Sequence, residues 1–321
     1  MDSFSTPTPQ LAEINVITPV YQALDRVKRI LFQPFDLGKW FIIGFTAWLA
    51  QLGESGGGNF NFNTGGGSNR RGGGSLQNEF EQARDYVMSH LYWIIPVAVG
   101  VVILLLALWL VITWLNSRGR FMFLHCVALN KAEVAVPWRK FAKEGNSLFW
   151  FRIVLGLIAT VVMLPLIALA VAIGVWAFGQ GKVEVMGIMG IVGVALVILA
   201  LALVFFLIAK LTKDFVVPIM FLRGCRCLES WRILRGLLTA NLGNFALYLL
   251  FQIVLALATG ILVIAVAVIT CCVCCLLLVP YLGTVILLPV FTFHRAYSAH
   301  YLAQYGPAFD VFATKQPAPQ A

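Results

Sequence analysis

A chain of 321 residues that is 60% hydrophobic and only 12% charged is poorly suited to solvation as a soluble globule, for which about 25% charged residues is usual. Its formal net charge of +9 would point a soluble protein towards nucleic acid, but here the placement of charge says more than its sum, and no nucleic-acid partner is expected. The apolar residues fall in blocks close to the 20 or so that a helix needs to cross hydrocarbon, too long and too regular in polarity for barrel strands. The expected class is therefore all-α: a polytopic integral membrane protein.

Residues 1–15 are polar and read as a disordered tail. No basic stretch leads into a short apolar run with a small-residue cleavage site, so the first span is expected to be retained. A membrane domain covers 16–305, followed by a tail at 306–321. Thr18 reads as a helix cap, followed by Pro19 in the first turn. Val20, Leu24, Val27 and Leu31 then form an apolar stripe, with Asp25, Arg26, Lys28 and Arg29 facing away. Pro34 breaks this helix and Asp36 caps the next, which opens the first span at about 37–53.

"SGGGNFNFNTGGGSNRRGGGS" covers Ser55 to Ser75. So much glycine is costly to order, and a disordered external loop is expected. Ser75 starts a short helix with Phe80, Ala83 and Val87 on one face, leading into a second span at 91–115. Further spans are expected at about 148–178, 184–209, 244–268 and 274–297, giving six transmembrane helices. The last two blocks are weakly separated, so five spans with a re-entrant segment is the rival count.

The loops sort by charge. One set carries Arg26, Lys28, Arg29, Lys39, Arg118, Arg120, Lys131, Arg139, Lys140, Lys143 and Arg152, then Lys210, Lys213, Arg223, Arg226, Arg232, Arg235, Arg295 and Lys315. The other carries Arg70, Arg71, Arg84 and Lys182. Cationic flanks stay on the cytoplasmic side. Both termini and the loops 116–147 and 210–243 are thus expected in the cytoplasm, and a bacterial inner membrane is the expected location.

Two of those loops repeat the N-terminal pattern. In the second, Cys227, Trp231, Leu234 and Leu238 share one face, opposite Glu229, Arg232, Arg235 and Gly236. In the first, Trp138 and Phe141 face inward while Arg139, Lys140 and Lys143 face out. Basic amphipathic helices beside spans commonly lie among lipid headgroups. Breaks with new caps follow at Gly145, Asn146 and Ser147, and at Gly243 and Asn244. The expected architecture is three repeats of an interfacial helix followed by a transmembrane hairpin.

"KDFVVPIMFLRGCRCLESWRILRG" followed by "NFALYLLFQIVLALATG" resembles the uncharacterised bacterial six-span proteins of the YciC-like type, and the membrane domain attached to some glycerophosphodiester phosphodiesterases. The likeness covers roughly residues 15 to 305 and rests on Asp214, Pro218, Trp231 and the Tyr248 span. It implies an integral membrane role without an agreed activity. The phosphodiesterase domain has no counterpart here, so that activity does not carry over.

Candidate chemistry is sparse. Cys271, Cys272, Cys274 and Cys275 form "CCVCC", but neighbouring cysteines on one element diverge, whereas zinc needs thiolates that converge. They read as small packing residues. Cys225 with Cys227, and Cys126 beside His125, read likewise. No metal or cofactor is expected. Gly187, Gly190 and Gly193 suggest close helix packing; Pro165 and Pro280 suggest kinks. Gln252 is the clearest polar side chain at depth, and the spans hold no acidic residue between their ends.

The leading expectation is a non-enzymatic scaffold or accessory protein. It would contact anionic lipid, a protein partner or a second copy of itself through Arg226, Trp231, Arg232 and Arg235, with Trp138, Arg139, Lys140 and Lys143. The alternatives are a passive solute carrier with a path near Gln252 and Pro280, and a lipid-headgroup enzyme using Asp214, Glu229 and His294.

Overall fold

The computed structural model describes residues 14–53, 91–179, 185–269 and 280–313. The glycine-rich insert, the helix expected after Ser75 and the Cys271–Cys275 cluster lie outside the described residues. What is described is helical, with no strand among the described residues. In chain order the helices are α1 Thr18–Val27, α2 Leu37–Gln51, α3 Leu91–Leu129, α4 Ala135–Lys140, α5 Ala142–Gly179 and α6 Val185–Leu211. They continue with α7 Val217–Arg223, α8 Cys227–Ala240, α9 Leu242–Ile269, α10 Pro280–Ile286 and α11 Leu288–Ala303. Two π-helical turns, Lys28–Phe32 and Thr212–Val216, follow α1 and join α6 to α7.

Among the described residues four helical stretches are long and apolar enough to cross a membrane: Ile95–Leu129, Ala142–Ala177, Gly187–Arg223 and Leu242–Ala265. This is an integral membrane architecture. The other two expected spans differ in form. α2 has 15 residues, about 22 Å at 1.5 Å per residue. The described part of 274–297 is divided between α10 and α11, with the junction at Leu287.

The length of α3 explains the layout. Its 39 residues make a rod of about 58 Å, against hydrocarbon of about 30 Å. Much of the first half is exposed, while Phe121 to Ala128 are buried throughout. The surplus helix enters a protein base with a core of its own. That core includes Ala23 and Ile30 near the N-terminus, Phe215 and Met220 after α6, Leu234 on α8, and Tyr297 and Tyr301 on α11.

Polar contacts tie the base together. Arg26 donates from Nε and Nη2 to Val127 O at 3.2 and 3.0 Å, and from Nη2 to Ala128 O. It thereby satisfies carbonyls that the end of α3 leaves open. Asn130 just beyond has φ +56°, the left-handed conformation that commonly ends helices. Asn116 donates to Ala50 O and Leu52 O, both at 2.8 Å, closing α2 against α3. Gly119 lets these helices touch: a Cβ there would lie 2.6 Å from the backbone carbon of Leu49. Asn15 and Gln304 exchange hydrogen bonds of 2.8 and 2.9 Å, so both ends of the described chain meet in the base.

Several local expectations shift. Asp36 caps α2 through Gly38 N at 2.8 Å, as expected. Thr18 is the first helical residue and not the cap. Leu24 is 53% exposed, whereas Ala23, Val27, Ile30 and Leu31 are buried. The π turn adds a residue per turn, and both Ile30 and Leu31 point into the core. No break occurs at Gly145: α5 runs through it. A Cβ there would meet Arg118 Cγ at 2.9 Å, so this glycine serves close packing. Gly187 and Gly190 face Ala177 and Ile173 across the α5–α6 hairpin, while Gly193 meets nothing. Pro165 lies inside α5, and Pro280 opens α10.

Candidate functional site

The base holds a cavity of about 240 Å³ between the C-terminal end of α2, the buried half of α3, the junction after α6, and α11. Ala50, Phe123 and Phe291 give it apolar wall. Arg120, Lys210, Lys213, Asp214, Gln51, His294, Arg295 and Ser298 give it polar wall. Four cationic side chains face one carboxylate, a formal +3 with His294 neutral.

Each charge is placed by local structure. Arg120 follows the contact glycine Gly119 by one residue and is 7% exposed. Arg152 is close enough for the two charges to repel, and its Nη1 donates to Asn116 Oδ1. Lys210 ends the apolar run of α6. It pairs with Asp214, one turn on, at 2.8 Å. Lys213 and Asp214 both lie on the π turn Thr212–Val216; such turns are frequent at functional sites. Arg295 comes from α11, is 7% exposed, and donates from Nη1 to Lys213 O at 2.6 Å.

Asp214 is held firmly. Tyr248 OH donates to its Oδ2 at 3.1 Å, and Gln252 Nε2 donates to Tyr248 OH at 2.8 Å. Lys210 Nζ also lies 3.5 Å from Gln252 Oε1. Tyr248 is fully buried, stacked on Tyr297 with ring centroids 5.7 Å apart. His294 Nε2 lies 3.3 Å from Thr259 Oγ1.

Arg295 is the informative member. Its Nε and Nη2 are buried and have no hydrogen-bond partner among the described residues. Leaving a buried donor unsatisfied costs about 1–3 kcal/mol, and more for a charged group. An arginine fork matches two oxygens of one acceptor. The site offers an anion positive charge and, beside it, a guanidinium with two donors still open.

The residues expected to contact lipid or a partner lie elsewhere. Arg226, Arg232 and Arg235 are exposed on α8. Trp231 packs inward, 6.2 Å from Phe151. Arg139, Lys140 and Lys143 are exposed. Trp138 is engaged within the protein: Arg118 stacks on Trp114 and Trp138 at 4.4 and 4.9 Å. Gln252 supports the cavity through Tyr248 and Lys210, whereas the surroundings of the Pro280 side chain lie outside what is described. Asp214 and His294 share the cavity, and exposed Glu229 does not. Burial pushes the Cys227 thiol up to about 12, aided by Cys225, so Cys227 is a poor nucleophile. No group of three or more potential metal ligands occurs among the described residues.

A family model matches residues 14–287. The chain belongs to a family of unknown function, DUF7544. No curated protein and no solved structure matches it. The match covers α1 to α10, and hence the Arg120, Lys213 and Asp214 side of the cavity; Arg295 lies beyond it.

Proposed function

We propose that this protein is a non-enzymatic, multi-pass membrane accessory protein that binds an anion in its cytoplasmic base. The observation that carries this is Arg295, a buried guanidinium with two undirected donors in a cavity of net positive charge. Burying charge of one sign is costly unless it is paired. A bound anion supplies the acceptors and the balancing charge together.

The base is assigned to the cytoplasm because the Lys and Arg of the chain concentrate there. Six crossings are proposed, with α2 as the first and the segment leading into α10 as the sixth. The short helices α1, α4 and α8 each precede an apolar helix, which supports the threefold repeat. Kinship with the YciC-like proteins is proposed on the same layout. The exposed arginines of α8 fit the anionic inner leaflet, where each is worth about 1 kcal/mol. A bacterial inner membrane is the proposed setting. Binding without chemistry is favoured because Lys210 and Tyr248 tie Oδ2 of Asp214 in place, which suits that carboxylate to positioning a ligand.

The test is thermal unfolding of the purified full chain in detergent at low ionic strength, titrated with sulfate or phosphate. A ligand at 100 times its Kd stabilises by about 2.7 kcal/mol. Wild type is expected to show a saturable rise in Tm, and a folded Arg295→Met variant a much smaller one. Equal responses from the two would overturn the assignment to this cavity.

A further inference from the structure

We infer that the anion is a phosphate bearing a protonated oxygen, either inorganic phosphate or the monoester headgroup of a lipid. This rests on the anion-binding role proposed above and deepens it. The deciding residue is Asp214. An entirely cationic cavity would accept any anion of suitable size. A carboxylate on its wall repels an anion that can only accept hydrogen bonds, and it attracts one that can also donate. Sulfate and phosphate diesters have no proton to give near neutral pH. Phosphate and its monoesters do, with a second pKa of about 6 for the esters.

The rest of the wall fits the same ligand. Arg295 lines the cavity, and its Nε and Nη2 are buried without a partner; that pair of donors, once uncovered, matches two oxygens of one phosphoryl group. Arg120 and Lys213 supply further positive charge from separate elements. Lys210 and Tyr248 hold the Asp214 carboxylate by Oδ2, so its place on the wall is fixed before any ligand arrives. A cavity of about 240 Å³ falls below the 300–1,000 Å³ usual for larger ligands. It has room for a phosphoryl group. Its depth suits a headgroup as well: Lys210 stands where the apolar run of α6 ends, at the boundary between hydrocarbon and base.

The experiment uses the full chain in phosphatidylcholine nanodiscs at pH 6. Inorganic phosphate and sulfate are titrated calorimetrically, and separate discs carry phosphatidic acid or phosphatidylglycerol for comparison of Tm. Phosphate is expected to bind about tenfold more tightly than sulfate, the scale of a charge-assisted hydrogen bond. Asp214→Asn is expected to narrow that ratio. If that variant does not fold, the wild-type ratio decides alone. A response to inorganic phosphate assigns a free ion, and a response to phosphatidic acid alone assigns a headgroup; either supports the inference. Sulfate equal to phosphate, or phosphatidylglycerol equal to phosphatidic acid, overturns it and leaves anion binding standing. No response to any anion overturns both.

Discussion

The two ends of α3 are one continuous helix in two different solvents. Leu104 and Val102, in its first half, are 68% and 63% exposed; Leu124 and Val127, in its second, are fully buried. Apolar side chains serve both ends, for different reasons. In the first half lipid tails solvate them, and packing against protein is not required. In the second they exclude water from a core that also holds Asn116, Ser117 and Arg120. Hydrophobicity alone therefore does not distinguish the lipid-facing part of such a rod from the packed part. The polar residues do, because each buried one needs a partner.

Truncation should separate the two ends most strongly. Phe215 is fully buried in the base, and Phe215→Ala is expected to cost about 3–5 kcal/mol. Leu104→Ala, in the exposed half, should stay within about 0.5 kcal/mol. Thermal unfolding in one detergent measures both, and similar losses would show that the first half also packs against protein.

Acid should act on the base next. Burial, followed by the nearby Arg26 charge, lowers His300 to about 4, with Asp310 opposing. Its ring stacks on Phe312 at 4.1 Å. The unfolded chain, with an ordinary histidine pKa near 6.5, binds more protons between these values. Stability contributed by this site is therefore complete above about pH 6.5 and is lost as pH falls towards 4. A Tm profile over that range should flatten in His300→Gln. An unchanged slope would assign the acid sensitivity to other groups.

The smallest effect concerns the surface. Reversing Arg226, Arg232 and Arg235 to Glu should weaken binding of the detergent-solubilised protein to phosphatidylglycerol vesicles. It should leave Tm within about 0.5 kcal/mol equivalent, because all three are exposed. Vesicle binding equal to wild type would remove α8 from the lipid-binding surface.

Much of the spanning architecture was legible, because long apolar blocks have few alternative solutions. So was α8, whose spacing places Cys227, Trp231, Leu234 and Leu238 inward. The cavity was not. Arg120, Lys213 and Arg295 lie far apart in sequence, and each reads as a topology-setting charge. Only contacts between α3, the π turn and α11 bring them together. Gln252 did stand out as a polar side chain at depth, and Asp214 and His294 as candidates for headgroup chemistry. Gly145 misled for a physical reason: glycine marks a helix end and a close helix contact equally well, and here Arg118 crosses it.

The continuity of α3 has a mechanical consequence. A rod about 58 Å long, held at one end by Arg26 and Asn116, behaves as a lever with its short arm in the base. Any rotation imposed on Arg120 would be delivered, multiplied by length, to the exposed end of the rod.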